Sequence, residues 1–110
     1  MSEMDTLQRL ATLVRSRRND SAQKSYTAQL LAAGTERCAK KFGEEAVETV
    51  IAAMSNDDAA FKGEAADTLY HLLVLLESRG VALEEVFSVL ESRMGVSGLA
   101  EKASRKGSQP

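Results

Sequence analysis

The sequence lacks the features that would place it in several common protein classes. Its 110 residues include one cysteine, Cys38, which excludes an intramolecular disulfide framework and favours a reducing compartment. No apolar run approaches the roughly 20 residues of a membrane span. The N-terminus also has no apolar core of a signal peptide. These absences predict a cytoplasmic protein that does not enter a membrane.

Charge and motif content exclude further classes. The formal net charge is −2 at pH 7, which gives no electrostatic reason to expect binding to nucleic acid or to an anionic membrane. The sequence has no Gly-rich nucleotide-binding loop, no metal-type Cys/His spacing and no Ser/His/Asp arrangement. It also has no strand-like alternation of apolar and polar residues. The fold is therefore predicted to be all-α.

Helical periodicity and capping residues divide the chain into about four to five helices. Ser25 and Asp57 are predicted N-caps, and Gly34 and Gly80 are predicted helix stops. The connection after the third helix is short, which predicts an antiparallel central hairpin. A domain of this size fits residues 1–103, with 104–110 as a polar tail. The predicted helices cover residues 5–17, 26–33, 35–54, 58–78 and 83–94.

Two pairs of carboxylates dominate the central hairpin. Glu45 and Glu48 are three residues apart, and so are Glu64 and Asp67, so each pair points the same way from its helix. Antiparallel packing of the two helices would bring the four acids around one small volume. Carboxylates placed together repel one another unless a cation neutralises them. Oxygen ligands alone suit a hard divalent ion, Mg²⁺ or Mn²⁺.

The competing interpretation of the first pair is a solvated helix face. The glutamates of the third helix lie opposite an apolar stripe, as in any amphipathic helix. The fourth helix is different, because it is apolar on both sides and Glu64 and Asp67 sit at the mouth of that surface. An unpaired carboxylate is costly there, which favours a site. The stripe of the third helix contains Phe42, Ala46, Val47, Val50, Ala53 and Met54, and that of the fourth contains Ala65, Leu69, Leu72, Leu73 and Leu76.

A helix that is apolar on both sides also needs a second layer to cover it. A second copy of the chain would supply that layer. We therefore expect a helical bundle completed by dimerisation, as a homodimer or a dimer of dimers. A non-catalytic helical adaptor that dimerises through the Leu72–Leu76 region is the alternative that this pattern leaves open.

The paired acids carry a family resemblance. The order Glu45-x-x-Glu48 and then Glu64-x-x-Asp67 resembles the magnesium signature of the all-α nucleoside triphosphate pyrophosphatases, the MazG-like superfamily. Within that superfamily the chain is similar to the phosphoribosyl-ATP pyrophosphatase family over about 80 residues. The segments that carry this similarity are residues 25–31, 40–48, 64–74, 79–81 and 97–105.

The resemblance implies a MazG-like fold and a reaction. The reaction is the Mg²⁺-dependent hydrolysis of phosphoribosyl-ATP to phosphoribosyl-AMP and pyrophosphate, the second step of histidine biosynthesis, with Mn²⁺ as a possible substitute. Glu45, Glu48, Glu64 and Asp67 would hold the ion, and Glu44 or Glu45 would orient or deprotonate the attacking water. A related pyrophosphatase that acts on non-canonical nucleotides remains a second possibility.

Basic residues beside the acids are candidates for substrate binding. The resemblance favours a phosphate contact for Lys40 or Lys41; the alternative is an ordinary i,i+4 helix pair, Lys41 with Glu45 or Lys40 with Glu44. Gly43 would allow close approach of a phosphate, or would relieve crowding between helices.

Three further predictions concern the rest of the site. Lys24, Ser25 and Tyr26 either line the substrate pocket or merely form a capping turn. Ser104 and Arg105 either close over the ribose phosphate or belong to an unstructured end. His71 is expected to be a core residue, with a hydrogen bond to Asp67.

Overall fold

The computed structural model describes residues 5–94, which form five α-helices and no strand. The all-α prediction is confirmed, and every predicted helix end agrees to within one residue. None of the helices in this range is long and apolar enough to cross a membrane. The predicted tail, 104–110, lies outside the described residues. The helices are α1 (Asp5–Ser16), α2 (Tyr26–Ala33), α3 (Thr35–Ala53), α4 (Asp58–Ser78) and α5 (Leu83–Arg93), with a 3₁₀ turn at Arg17–Asn19.

The helix ends follow the capping residues. The Ser25 hydroxyl accepts a hydrogen bond from the Ala28 N–H at 3.1 Å, and the Asp57 carboxylate accepts one from the Ala60 N–H at 3.1 Å. Gly34 and Gly80 adopt φ angles of 99° and 71°, a region that costs other residues more than glycine. Local chemistry therefore sets where α2 and α4 begin and end.

The hairpin of α3 and α4 is the centre of the fold, and α1 and α2 pack against it. The core lies between α1, α2 and α4, because its buried side chains come mostly from those helices. Cys38 of α3 joins it, with its Sγ atom 3.2 Å from the Leu30 carbonyl oxygen. Cys38 is thus a small core residue. The core consists of Val14, Leu30, Leu31, Cys38, Leu73, Val74 and Leu83.

The carboxylate of Glu77 links α1 and the following 3₁₀ turn to the end of α4. Glu77 forms ion pairs with Arg15 at 3.3 Å and with Arg18 at 2.8 Å, and Arg18 also donates to the Glu77 carbonyl. The Glu77 side chain is only 14% exposed, whereas Arg15 and Arg18 are 64% and 43% exposed. These contacts hold α1 and the following turn against the central hairpin.

The solvated-face interpretation of α3 holds for Glu44 and Glu48, which are exposed, but not for Glu45, which is half-buried. Much of the apolar stripe is exposed, with Val50 63% and Met54 80% accessible. The side that carries Glu45 packs against α4 instead. The reason is that Thr49 and Thr68 hydrogen bond across this contact, so polar groups occupy the helix interface. On α4, Leu69 is also 47% exposed, although periodicity assigned it to the core-facing stripe.

Candidate metal centre

Three carboxylates meet where α3 crosses α4. Glu45 and Glu48 of α3 and Glu64 of α4 each offer one oxygen, and these oxygens lie within 4.8 Å of one another. Glu45 and Glu64 are half-buried, and Glu48 is exposed. Asp67 is not one of the three, but it is near enough for its charge to act on both Glu45 and Glu64. The structure therefore brings together three of the four predicted ligands and places the fourth beside them.

The carboxylates disfavour one another's charge. Burial raises the pKa of Glu45, and the adjacent Glu48 raises it further. Burial also raises the pKa of Glu64, with Glu48 and Asp67 adding to the effect. Protons therefore bind this cluster more tightly than they bind isolated carboxylates. A bound cation would remove the same repulsion without a proton.

One oxygen of Glu64 supports a cation at this position. Within residues 5–94, Glu64 Oε2 is a buried side-chain atom that has no hydrogen-bond partner. Buried polar atoms are nearly always paired, since an unpaired one is costly. All the donors here are carboxylate oxygens, which are the ligands of Mg²⁺, Mn²⁺ and Ca²⁺. The residues present therefore fit a hard divalent ion.

Lys41 is the cation nearest to the cluster. It pairs with Glu44 at 3.4 Å, at i,i+3 spacing, and neither of the expected i,i+4 pairs forms among the described residues. The Tyr26 hydroxyl and then Glu44 raise the pKa of Lys41, which keeps its charge positive. Its charge also acts on Glu45, where it lowers the pKa.

The other predicted substrate residues have no contact with the acidic cluster among the interactions of the described residues. Lys24 and Lys40 are exposed and form no ion pair with another described residue. The Ser25 hydroxyl caps α2, so its capping role is confirmed and a substrate role stays a prediction. An added Cβ on Gly43 would meet no atom within 4 Å, so crowding inside the chain does not explain this glycine. Ser104 and Arg105 lie outside the described residues.

His71 is a core residue, as predicted, but without the expected bond to Asp67. It is 5% exposed, and its Nδ1 atom has no partner among the described residues. Its ring lies edge-on to Tyr70 at 4.9 Å and to Tyr26 at 6.2 Å. Burial lowers the pKa of His71, and Lys41 lowers it further. The ring is therefore held neutral between the core and the Tyr26 side of the site.

Two residues of the site were not expected from the sequence. The hydroxyls of Thr49 and Thr68 lie 2.7 Å apart and join α3 to α4 beside the glutamates. The sequence contains a pattern that could have indicated these threonines. The segments Glu-Ala-Val-Glu-Thr at 45–49 and Glu-Ala-Ala-Asp-Thr at 64–68 have the same order of residue types. Each threonine directly follows the second acid of its pair.

Comparison with known proteins gives one consistent result. The phosphoribosyl-ATP pyrophosphohydrolase family model matches residues 7–94. A phosphoribosyl-ATP pyrophosphatase of Cereibacter sphaeroides is 56% identical over 102 residues, which cover 93% of this chain and 99% of that protein. One from Rhodobacter capsulatus is 54% identical with the same coverage. Phosphoribosyl-ATP pyrophosphatase 1 of Rhodopseudomonas palustris is 57% identical over 101 residues, covering 92% and 94% of the two chains.

Proposed function

The chain belongs to the phosphoribosyl-ATP pyrophosphohydrolase family, and we propose that it works with a Mg²⁺ ion held between α3 and α4. It is a hydrolase that converts phosphoribosyl-ATP and water to phosphoribosyl-AMP and pyrophosphate in histidine biosynthesis. The bond between the α and β phosphates breaks, and pyrophosphate leaves. The observation that carries the metal proposal is the meeting of three carboxylate oxygens within 4.8 Å.

The proposed ligands are Glu45, Glu48 and Glu64, with Asp67 completing the set. A bound divalent ion supplies charge neutralisation and a fixed position for the triphosphate. Mn²⁺ has the same preference for oxygen and would substitute. The buried, unpartnered Glu64 Oε2 supports this assignment, because an ion would satisfy it.

We assign the proton acceptor for the attacking water to Glu45 rather than Glu44. Glu44 is exposed and paired with Lys41, whereas Glu45 lies in the acidic cluster. A carboxylate beside the proposed ion lies close to the water that attacks the bound triphosphate, which is the position that a general base needs.

Lys41 and Tyr26 form the proposed substrate edge beside the acids. Lys41 carries a positive charge next to the cluster, where it would bind a phosphate oxygen as a point charge. Tyr26 is 51% exposed, so its ring is open to a ligand. Lys24, Lys40 and Ser25 complete the proposed contacts, with Ser104 and Arg105 as candidates from the end of the chain.

We also propose that two chains form a homodimer, and that dimers could pair further. The exposed apolar side chains of α3 and α4 form one face, which a second copy would cover. Glu48 lies on α3 between Val47 and Ile51 of this face, so the partner would also exclude water from the acids. We also propose a cytoplasmic location, which suits an enzyme of histidine biosynthesis whose one cysteine, Cys38, is a free thiol. The face comprises Val47, Val50, Ile51, Met54, Phe61 and Leu69.

The dimer is tested by placing a charge on that face. Ile51 is 65% exposed in the single chain, so Ile51→Glu costs little if the protein is a monomer. We expect sedimentation equilibrium to give a dimer mass for the wild type and a monomer mass for the variant. A wild-type monomer at micromolar concentration would contradict the proposal.

The metal site is tested by pyrophosphate release from phosphoribosyl-ATP. Glu48→Gln removes one ligand charge and should abolish turnover while the helical circular dichroism stays unchanged. Glu36→Gln, on an exposed position of the same helix, is the matched control and should keep full activity. Retained activity in Glu48→Gln would remove Glu48 from the metal shell.

A further inference from the structure

Two threonine hydroxyls form a direct link between α3 and α4. The Oγ1 atoms of Thr49 and Thr68 are 2.7 Å apart. Thr49 Oγ1 lies 2.9 Å from the Glu64 carbonyl oxygen, and Thr68 Oγ1 lies 3.0 Å from the Glu45 carbonyl oxygen. Each hydroxyl therefore bonds to the opposite helix at the peptide unit of a metal-site glutamate. We call this pair the threonine clasp.

The two threonines of the clasp occupy equivalent positions in their helices. In each helix the threonine follows the first glutamate of its pair by four residues, so both lie on one helix face. A helical threonine commonly bonds the carbonyl one turn back in its own helix. Thr49 makes that contact too, with Glu45 at 3.0 Å. Since a hydroxyl has one proton, the two protons are shared among the contacts within and between the helices.

A hydroxyl brings the helices closer than a methyl group would. Hydroxyl and carbonyl oxygens approach to about 2.7–2.8 Å, whereas a carbon atom stays about 3.3–3.6 Å from a carbonyl oxygen. The clasp is thus shorter by roughly half an ångström than the contact of valines at the same positions. The shorter contacts are made to the backbone of Glu45 and Glu64. The carboxylates of these two residues belong to opposite sides of the acidic cluster.

The spacing between α3 and α4 at the acidic cluster matters because divalent ions differ in size. Mg²⁺ requires nearly octahedral oxygens at about 2.0–2.1 Å, while Ca²⁺ accepts about 2.3–2.6 Å in flexible geometry. We propose that Thr49 and Thr68 are positioning residues that set the distance between the carboxylates of α3 and α4 for an ion of the size of Mg²⁺. This inference rests on the metal centre of the proposed function and adds the determinant of its ion selectivity.

A matched control at the other end of the hairpin distinguishes an effect of the threonine clasp on ion selectivity from an effect on stability alone. The Thr35 hydroxyl lies 3.1 Å from the Ser78 hydroxyl and joins the same two helices away from the acids. Thr35→Val removes a link of the same kind. If hydrogen bonds between the helices matter only for stability, Thr35→Val and Thr49→Val will lower the melting temperature and leave ion selectivity unchanged in both.

The experiment measures ion binding without substrate. Mn²⁺ binding is followed by electron paramagnetic resonance, and Mg²⁺ and Ca²⁺ are each titrated in as competitors. Thr49→Val should weaken Mn²⁺ and Mg²⁺ binding about tenfold or more and weaken Ca²⁺ binding less, so the Mg²⁺/Ca²⁺ preference falls. Thr68→Val should do the same, and it is the second variant if Thr49→Val does not fold. Thr49→Ser keeps the hydroxyl and should restore the wild-type preference.

The outcomes separate the clasp from the metal centre itself. A wild-type Mg²⁺/Ca²⁺ preference in folded Thr49→Val and Thr68→Val would overturn the inference, as would an equal change in Thr35→Val. If Glu48→Gln abolishes Mn²⁺ binding and the valine variants do not alter it, the metal centre stands and the clasp fails. Absence of Mn²⁺ binding to the wild-type protein would overturn both.

Discussion

If the acidic cluster binds a divalent ion, as proposed, the stability of the protein depends on that ion. Three carboxylate oxygens converge within 4.8 Å, and an ion that binds only the folded chain stabilises it by RT ln(1 + [ion]/Kd). At an ion concentration of ten times Kd this amounts to about 1.4 kcal/mol. Each kcal/mol shifts the melting temperature of a domain of this size by about 4–8 °C, which gives a rise of roughly 6–11 °C.

Glu64→Gln is the informative perturbation, because it should act in opposite directions with and without metal. Burial and then the neighbouring Glu48 and Asp67 raise the pKa of Glu64, so its charge is disfavoured. The neutral amide has nearly the same shape, so the metal-free variant should melt above the metal-free wild type. It should also lose most of the rise produced by Mg²⁺, since a ligand oxygen becomes a weaker amide oxygen.

Scanning calorimetry at fixed protein concentration, in EDTA and in excess Mg²⁺, measures both effects. Glu36→Gln serves as the control and should keep the wild-type melting temperatures in both buffers. A full Mg²⁺-dependent rise in Glu64→Gln would refute the assignment of Glu64 as a ligand. A metal-free melting temperature well below that of the wild type would refute the argument from charge repulsion.

The remaining predictions concern the base, pH and the core. Glu45→Gln should lower kcat by about 10²–10⁴-fold, the range for a general base, while Glu44→Gln stays close to wild type; the reverse order in steady-state kinetics would exchange their roles. Burial lowers the pKa of His71 from its ordinary value of 6.5, so the stability it contributes is complete above pH 6.5 and is lost as pH falls through the lowered value. The stability difference between wild type and His71→Leu, measured by urea unfolding, should therefore shrink below pH 6.5, and a constant difference would contradict this. Leu73→Ala should cost about 2–5 kcal/mol, whereas Leu13→Ala, at a position 46% exposed, should cost much less; equal losses in urea unfolding would show that the core is misplaced.

The helix boundaries were predictable because local chemistry sets them. Ser25 and Asp57 cap α2 and α4 with the hydrogen bonds expected from their side chains. Gly34 and Gly80 take positive φ angles at the predicted stops. Each of these signals depends on a few neighbouring residues only, so no knowledge of the tertiary structure was needed.

The orientation of α3 was not predictable from periodicity. The helix has an apolar stripe and a polar side, and ordinary amphipathic packing buries the stripe. Here Glu45 and Thr49 contact Thr68 of α4, whereas Val50 and Met54 of the stripe remain exposed. Hydrophobic pattern shows which residues share a face, but it does not identify which partner covers that face.

The candidate site was predictable in its residue types and only partly in its geometry. The spacing of the acids correctly indicated that Glu45, Glu48 and Glu64 share a small volume. Whether Asp67 joins them depends on the rotation of α4 about its axis, which spacing along one helix does not determine. The expected His71–Asp67 bond failed for a related reason, because the ring of His71 packs on Tyr70 instead.

The most direct test is pyrophosphate release from phosphoribosyl-ATP, dUTP and ATP, each with Mg²⁺ and with EDTA. We expect release from phosphoribosyl-ATP alone, and only when Mg²⁺ is present. Release confined to dUTP or ATP would contradict the substrate. Equal release from phosphoribosyl-ATP in EDTA would contradict the metal centre between α3 and α4.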